Sequence, residues 1–392
     1  MLAGPFCTML LADLGADVVK VEPPAGDTSR TLGPYAPDDE LRAYGGYFQS
    51  VNRNKRGLAL DLTQEGAREV VRRLVKDADV VVENFRAGVM ERLGLGYESL
   101  HERNPRLVYA AIRGFGDPRT GASPYLDWPA FDITAQAFGG FMGITGAGPG
   151  ESYKAGPGIG DIFPAVLTAV GLLAAVHHSR RTGEGQFLDV AMYDGVLAMC
   201  ERIVHQHSYT GDVPQPQGNT HPLLSPFDTF RTKDGQVTIA APEAWHWAAL
   251  AEAMGRPELA EDERFVTNAT RLRHRDLVEE MVAAWCAERT NREVVAALGG
   301  RVPVAPVQSV ADIFADPHVA IRAMLAQVEQ PGSSTPRQVA APPIKLTATP
   351  ATVRTRAPLL GEHSQAVLKE IGYSESETAE LFASGAVLKA EQ

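Results

Sequence analysis

The sequence predicts an α/β fold with a doubly wound, Rossmann-like large domain and a smaller α+β domain. Helical and β-branched segments alternate through the first half of the chain, as expected when helices cover both faces of a parallel sheet. The 392 residues exceed the usual size of one hydrophobic core, which favours two domains. A content of 44% hydrophobic and 22% charged residues is typical of a globular protein.

The elements of the first half follow from periodicity and from the residues that begin and end each run. Strands are predicted at 17–22, 80–83, 107–112 and 187–191, and helices at 7–14, 63–77 and 165–181. The last of these helices is apolar on all sides, and glycines at 183 and 185 end it. It is therefore expected to be buried.

Composition divides the chain into a large domain, a small domain and a returning tail. A Pro/Gln/Gly stretch without periodicity follows residue 210, and a Pro/Gly/Ser-rich stretch follows residue 330. Asp234-Gly235 between two apolar runs predicts a β-hairpin near the start of the small domain. The predicted bounds are 1–210 for the first part of the large domain, 211–224 for a linker, 225–330 for the small domain, 331–355 for a second linker, and 356–392 for a segment that rejoins the large domain.

Charge and composition exclude several classes of function. A net charge of −11 provides no global basic field, so neither nucleic acid nor an anionic membrane is an expected partner. The longest apolar run, 162–176, is shorter than a bilayer span requires. Three cysteines without paired spacing indicate reduced thiols, no zinc site and a cytoplasmic location. Walker, zinc-protease and serine-hydrolase motifs are absent from the sequence.

Asp161 is the strongest candidate for a catalytic residue. It follows a glycine-rich run, 156–160, and precedes the apolar helix, with Pro164 expected in the first turn. One interpretation is structural, because aspartate is a favoured N-cap. The other is catalytic, because a helix N-terminus stabilises an ionised carboxylate that can attack an acyl carbon. The residues alone leave both interpretations open.

Four further positions could contact an anionic ligand. Lys55 and Arg56 belong to the densest basic cluster of the early chain, where the default interpretation is a solvated turn. Arginine offers a bidentate fork to phosphate, so the cluster could also hold a phosphorylated ligand. Asn84 ends a predicted strand ahead of a short helix that carries Arg92, and both could equally be ordinary polar residues at the ends of elements.

Five stretches taken together resemble the class III CoA-transferases. The matching segments are Leu2 to Glu22, Asn54 to Arg56 with Leu60 to Leu62, Val82 to Phe85, Gly183 to Gln186, and Arg356 to His363. They occur in order over nearly the whole chain, which makes the set far more specific than any one of them. The resemblance implies a large domain built from both chain ends and two subunits interlocked like linked rings.

The resemblance also implies a set of site residues. Asp161 corresponds to the catalytic aspartate, with Asp132 as the acidic residue beside it and Gly158 and Gly160 as supporting positions. The implied CoA contacts are Ala3, Leu60, Asp61, Thr63, Asn84 and Arg92, to which the basic cluster adds Lys55 and Arg56. No metal is implied.

The implied reaction moves CoA from an acyl-CoA donor to a carboxylic acid acceptor. Asp161 would form a mixed anhydride with the donor acyl group and then an aspartyl-CoA thioester. CoA is a co-substrate, and no further cofactor is expected, because thiolate is a good leaving group and backbone amides at the glycine-rich turn can hold each oxyanion.

Two alternatives remain beside the transferase. The 2-methylacyl-CoA racemases have the same fold but use a Gly-His-Asp stretch where this chain has Ala130, Phe131 and Asp132. Phenylalanine cannot move a proton, which disfavours the racemase. A non-catalytic CoA-binding protein is disfavoured by the presence of Asp161. Relatives commonly carry a further strand ahead of this sequence, so we expect a natural start upstream of Met1.

Overall fold

The structure is a computed structural model that describes residues 1–389. Its strands are β1 (Val18–Glu22), β2 (Lys55–Leu60), β3 (Val80–Glu83), β4 (Val108–Arg113), β5 (Phe187–Ala191), β6 (Phe227–Arg231), β7 (Gln236–Ala240), β8 (Val304–Pro306), β9 (Leu325–Val328), β10 (Arg337–Ala340) and β11 (Val387–Leu388).

The helices lie mainly between these strands. They are α1 (Ala3–Asp13), α2 (Gly46–Asn52), α3 (Glu65–Val75), α4 (Val89–Arg92), α5 (Tyr97–His101), α6 (Asp132–Phe138), α7 (Phe141–Ile144), α8 (Ile159–Thr182), α9 (Met192–Met199), α10 (Glu201–Thr210), α11 (Ala244–Ala253), α12 (Asn268–Arg273), α13 (Arg275–Ala287), α14 (Asn291–Leu298), α15 (Val310–Ala315), α16 (Pro317–Ile321), α17 (Ser364–Glu370) and α18 (Glu375–Ala383).

The chain forms two compact units. Unit 1 comprises residues 1–141, 154–213 and the chain from 318 onward, and unit 2 comprises 142–153 and 214–317. The chain returns to unit 1 earlier than the linker predicted at 331–355, because β9 and β10 pair with each other within unit 1. The short excursion 142–153 into unit 2 was not predicted.

Six strands of unit 1 form two sheets of three where the sequence predicted one doubly wound sheet, and β9 pairs with β10 in a separate two-stranded sheet. β3, β4 and β5 are all parallel, in agreement with their alternation with helices. In the other sheet β1 pairs parallel with β2, and β11 from the end of the chain pairs antiparallel with the opposite edge of β2. The architecture is therefore mixed α/β.

The C-terminal segment completes the core around β2. Leu58 and Leu60 of this strand are buried together with Val367, Leu368 and Val387 from the end of the chain. Backbone hydrogen bonds join the two parts, including one from the His363 N–H to the Gly57 carbonyl at 2.9 Å. The tail from 356 therefore packs within unit 1.

Helix α8 positions the predicted nucleophile. It begins at Ile159, six residues before the predicted start, and packs against α1, α9, β4 and β5. The helix has 24 residues, and an 18-residue stretch of it has a mean hydropathy of 2.0. It is therefore long and apolar enough to cross a membrane, so the length of the apolar run does not exclude a span. Ala165, Leu172 and other side chains on one side are buried, whereas Val170 and Leu173 are more than half exposed.

Unit 2 is built on an antiparallel sheet of β6, β7 and β8. The hairpin predicted at Asp234-Gly235 is confirmed, because β6 and β7 pair across it from Arg231 and Gln236 outward. Trp247 of α11 is fully buried beside this sheet, and its indole N–H donates to the Leu259 carbonyl at 2.9 Å.

Candidate active site

The glycine-rich turn places Asp161 inside the first turn of α8. Gly158 is the N-cap, and the backbone N–H groups of Asp161 and Ile162 both donate to its carbonyl, at 3.1 and 2.9 Å. The interpretation of Asp161 as an N-cap is therefore wrong. Pro164 lies beyond the first turn, contrary to the prediction. Within residues 1–389 the Asp161 carboxylate accepts no hydrogen bond, so it does not cap the helix through its side chain.

Asp132 holds this turn from the neighbouring helix α6. Its Oδ1 accepts the backbone N–H of Gly160 at 2.7 Å. A Cβ on Gly160 would lie 2.4 Å from the Asp132 carbonyl oxygen, so only glycine fits this close approach of backbone to backbone. The requirement for glycine here comes from packing between α6 and α8. A Cβ on Gly158 would approach the end of the Leu2 side chain at 3.0 Å and the Asp132 carboxyl group at an ordinary 3.7 Å.

Burial and a like charge shape the electrostatics of Asp161. The pKa of Asp161 is raised to about 6. Burial is the largest cause, the negative charge of Asp132 adds to it, and the amino group of Met1 opposes both effects. A carboxyl group with this pKa remains mostly ionised at pH 7 and is more basic than an ordinary aspartate.

Tyr47 is a site residue that sequence reasoning missed. It lies on α2, half-buried, and its pKa is raised by burial and then by the charges of Asp161, Asp27 and Asp132. Its phenol group therefore lies near the two carboxylates of the site. No local signal marks it, because Tyr47 precedes the basic cluster and reads as an ordinary apolar position of a short helix.

The start of α1 and the end of β3 come together, as the resemblance implied. A Cβ on Gly4 would lie 3.3 Å from the Asn84 Cβ. The Asn84 amide donates to the Ile112 carbonyl, which fixes its orientation at the end of the parallel sheet. Ala3 is fully buried, so neither its side chain nor its backbone is exposed to a ligand in this structure.

A buried ion network supports the segment that carries Asn84. Arg113 pairs with Glu83 at 2.5 Å and with Asp117, and all three are at most 5% exposed. The other carboxylate oxygen of Glu83 accepts the Phe85 N–H at 2.6 Å. This network holds the backbone on both sides of Asn84.

Arg92 is free to meet an anionic ligand. It ends α4, is exposed, and makes no ion pair or hydrogen bond through its guanidinium group within the described chain. One guanidinium nitrogen lies 3.1 Å from the position of a Cβ on Gly88.

The turn at 60–63 is ordered by its own hydrogen bonds. Asp61 Oδ1 accepts the backbone N–H of Thr63 at 3.1 Å and its hydroxyl at 2.6 Å. The Asp61 N–H donates to the Ala386 carbonyl at 3.0 Å. Leu60 is buried in the core, and neither its side chain nor its backbone is exposed for contact with CoA in this structure.

Lys55 and Arg56 have structural partners, and both also line an open cavity with Arg354, Arg356 and His363. The Lys55 ammonium is buried and donates to Pro5 O, Val51 O and Asn52 Oδ1, at 2.8 to 3.0 Å. Burial lowers its pKa well below the usual value. Arg56 bridges Asp17 and Glu370, with 2.6 Å contacts to each.

Within residues 1–389 no group of three or more His, Cys, Asp or Glu side chains could hold a metal ion. The site therefore consists of one unpaired carboxylate, a second carboxylate held by backbone and amide donors, a phenol, and a neighbouring region with an exposed arginine and an oriented asparagine.

Comparison with known proteins identifies the family of this chain. The sequence profile described as CoA-transferase family III matches residues 1–364. The succinyl-CoA:mesaconate CoA-transferase of Haloarcula hispanica is 53% identical over 372 residues, which cover 95% of this chain and 93% of that protein. The succinate–glutarate CoA-transferase of Agrobacterium fabrum is 37% identical over 378 residues, covering 95% and 92%.

A solved structure shows the same fold. The CaiB/BaiF family protein from Brucella suis is 35% identical, with a TM-score of 0.82 over 94% of this chain and 96% of that chain. The similarity thus extends over nearly the full length of each relative. The chain belongs to CoA-transferase family III and is an enzyme of the CoA-transferase class.

Proposed function

We propose that this enzyme transfers CoA from an acyl-CoA donor to a carboxylic acid through covalent intermediates on Asp161. One observation carries the proposal: the Asp161 carboxylate is largely buried, accepts no hydrogen bond within the described residues, and has a pKa raised to about 6. Such a group is ionised at neutral pH and is a better nucleophile than a solvated aspartate.

The first half-reaction creates the aspartyl-CoA thioester. A carboxylate oxygen of Asp161 attacks the thioester carbon of the donor, and the C–S bond breaks to give a mixed anhydride and CoA thiolate. The thiolate then attacks Cγ of Asp161, and the anhydride C–O bond breaks to release the donor acid as its carboxylate.

The second half-reaction reverses these steps with the acceptor. The acceptor carboxylate attacks Cγ and displaces CoA thiolate, which gives a new anhydride. The thiolate attacks the acceptor carbonyl carbon, and cleavage of the C–O bond regenerates the Asp161 carboxylate. Each bond that breaks leaves its electron pair on a thiolate or carboxylate, so the chemistry needs no metal and no cofactor beyond CoA itself.

Backbone donors for the oxyanions are fewer than the sequence suggested. The Gly160 N–H is bound to Asp132, and the N–H groups of Ile159 and Asp161 bind Pro157 and Gly158 carbonyls. The Tyr47 hydroxyl, which lies near both carboxylates, is the side-chain donor we propose for the oxyanion at Asp161.

We further propose that the acids exchanged are small dicarboxylic acids. The two relatives described above are named for succinyl-CoA with mesaconate and for succinate with glutarate, all of which carry two carboxyl groups. The proposed acyl donor is succinyl-CoA.

The exposed side of α8 supports a homodimer of interlocked rings. Val170 and Leu173 expose apolar surface on a helix that is apolar on all sides, and a second copy of the chain would cover it. Leu173→Glu is expected to give a monomer in light scattering, whereas Leu41→Glu, at another exposed leucine, keeps the dimer. Native dimers carrying different tags should not exchange subunits, because a ring must open first; exchange within hours would rule out interlocking.

We place the enzyme in the cytoplasm. Three free, buried cysteines support a reducing compartment. The length of α8 suggests a membrane-spanning helix as the alternative. The same light-scattering experiment distinguishes the two, because a protein with a spanning helix would require detergent for solubility.

The experiment that tests the function is mass spectrometry of the enzyme in D₂O with succinyl-CoA and a pool of dicarboxylic acids. New acyl-CoA products without deuterium at the α-carbon are expected, and Asp161→Asn should abolish them. Deuterium incorporation without new products would indicate a racemase instead. Binding of CoA without either product, by the parent and by Asp161→Asn alike, would indicate a non-catalytic CoA-binding protein.

A further inference from the structure

Gln136 is a buried side chain whose two polar atoms bind Asp132 and the backbone of Ala155. It lies on α6 and is fully buried. Its Nε2 contacts both carboxylate oxygens of Asp132, at 3.0 and 2.9 Å. Its Oε1 accepts the backbone N–H of Ala155 at 2.8 Å, ahead of the glycine-rich turn.

These contacts fix the orientation of the amide. If the amide were rotated by 180°, its oxygen would face the Asp132 carboxylate and its NH₂ group would face the Ala155 N–H, so both contacts would become repulsive. Asp132 thus receives hydrogens from Gln136 on one side and from Gly160 on the other. Hydrogen bonds of this kind favour the ionised form of a carboxyl group.

Asp161 is in the opposite situation. It lies beside Asp132 with no donor to its own carboxylate among the described residues. When two carboxyl groups interact, the first proton taken up by the pair goes to the group whose anion is less stabilised. The hydrogen bonds therefore decide which of the two becomes neutral.

We propose that Gln136 is a positioning residue that keeps Asp132 as the permanent anion of the pair, so that Asp161 alone carries the proton exchanged near neutral pH. This inference rests on the proposed role of Asp161 as nucleophile. Its consequence is that the fixed charge on Asp132 keeps Asp161 basic, and hence nucleophilic, while the same contacts hold the turn through Ala155.

The other charged groups around the pair do not provide this selection. The groups that face it are the Met1 amino group and Tyr47, with Asp27 acting through Tyr47. Helix α9 packs on α6 and α8 and carries Tyr193 and Asp194, but the pKa of Asp194 responds to burial and to Asp189. On β4 and β5, which also pack on α8, Arg113 pairs with Glu83 and Asp117, and Asp189 accepts from Asp117 and Thr120.

The pH dependence of kcat/KM for CoA transfer tests the proposal, measured on the full-length enzyme from pH 4.5 to 8. In the parent enzyme we expect activity to fall below about pH 6, when Asp161 takes up its proton. In Gln136→Met the first proton should go to Asp132, so Asp161 remains ionised beside a neutral neighbour. The acid limb should then move to lower pH by roughly one unit, as it should in Asp132→Asn.

A second buried glutamine offers a matched control. Gln330 Nε2 donates to Asp39 Oδ2 at 3.1 Å and to the Tyr44 carbonyl at 2.9 Å, within unit 1. Gln330→Met loses an equivalent amide–carboxylate contact and should leave the acid limb in place. If Gln136→Met does not fold, Gln136→Asn retains an amide but is too short for both contacts, and it should give a shift in the same direction.

The outcomes separate this inference from the proposed function. An unshifted acid limb in a folded Gln136 variant, with Asp161→Asn inactive, would overturn the role of Gln136 and leave the nucleophile intact. Transfer activity retained by Asp161→Asn would overturn the nucleophile, whatever the Gln136 variants show. A shift to lower pH in Gln136→Met and Asp132→Asn, absent from Gln330→Met, would establish the selection of the proton site.

Discussion

The amide nitrogen of Gly160 and Oδ1 of Asp132 lie 2.7 Å apart. This hydrogen bond joins α8 to α6, although the two residues are 28 positions apart in sequence. This contact sets the position of the residue immediately before Asp161. It also explains why glycine is needed there, since the two backbones leave no space for a side chain.

Gly160→Ala should therefore inactivate the enzyme. A Cβ 2.4 Å from the Asp132 carbonyl oxygen forces α6 and α8 apart, and overpacking of this kind costs about 1–3 kcal/mol of folding free energy. Gly158→Ala is the matched control, because the tightest contact of its Cβ is with the flexible end of Leu2, and Asp132 lies at an ordinary contact distance of 3.7 Å. Thermal unfolding and steady-state transfer rates measure both effects; equal behaviour of the two variants would contradict the role assigned to the contact.

Asp161→Asn should stabilise the protein at pH 8 although it abolishes catalysis. The folded state raises the pKa of Asp161 to about 6, so its contribution to stability is present below the unfolded value and is lost as pH rises through 6. The cost of the ionised form is about 3 kcal/mol, which exceeds the favourable helix-terminus interaction of about 0.3–1 kcal/mol. Denaturant unfolding should show the gain at pH 8 and none at pH 4; a loss at pH 8 would contradict this account.

Arg113→Met should destabilise the enzyme strongly and weaken its affinity for acyl-CoA. It leaves Glu83 buried without its cation, a change that costs about 3–5 kcal/mol, whereas Asp117 keeps its contact with Arg119. The loss should be smaller at pH 5, because burial raises the pKa of Glu83 and this carboxyl group can then take up a proton. Arg264→Met removes an exposed pair with Asp262 and should change stability little, because solvent screens the pair, so an equal effect of both variants would contradict the importance of burial.

Arg92→Ala should raise KM for acyl-CoA by roughly tenfold with little change in kcat. The expected loss is one charge-assisted hydrogen bond to a phosphate of CoA at an exposed site. The difference from the parent enzyme should shrink as ionic strength rises, because salt screens exposed charges. Arg103→Ala, another exposed arginine, serves as the control; the same KM change there would indicate a non-specific effect of net charge.

The sequence predicted the elements of the fold better than their assembly. The strands at 80–83 and 187–191 have the predicted bounds, because short β-branched runs next to clear turn residues define them locally. The division into two sheets and the pairing of β11 with β2 could not be predicted, since both depend on contacts between opposite ends of the chain.

The site shows the same contrast between local and distant information. The resemblance selected Asp161 and Asp132 from the order of the motifs, whereas Tyr47 and Gln136 come to the site through the packing of α2 and α6. The burial of the Lys55 ammonium group against three oxygens could not be predicted either, because a cluster of positive charge in a sequence does not reveal how its members pack.

The pairing of β2 with the last strand has a consequence for biosynthesis. Leu58 and Leu60 leave the ribosome early, but Val367, Leu368 and Val387, which complete the core around them, are synthesised more than 300 residues later. The central segment of unit 2, 214–317, can form its core while synthesis continues, whereas the core around β2 must wait until these C-terminal residues have been made. During that interval the outer edge of β2 is unpaired, and the nascent chain is most exposed to aggregation there.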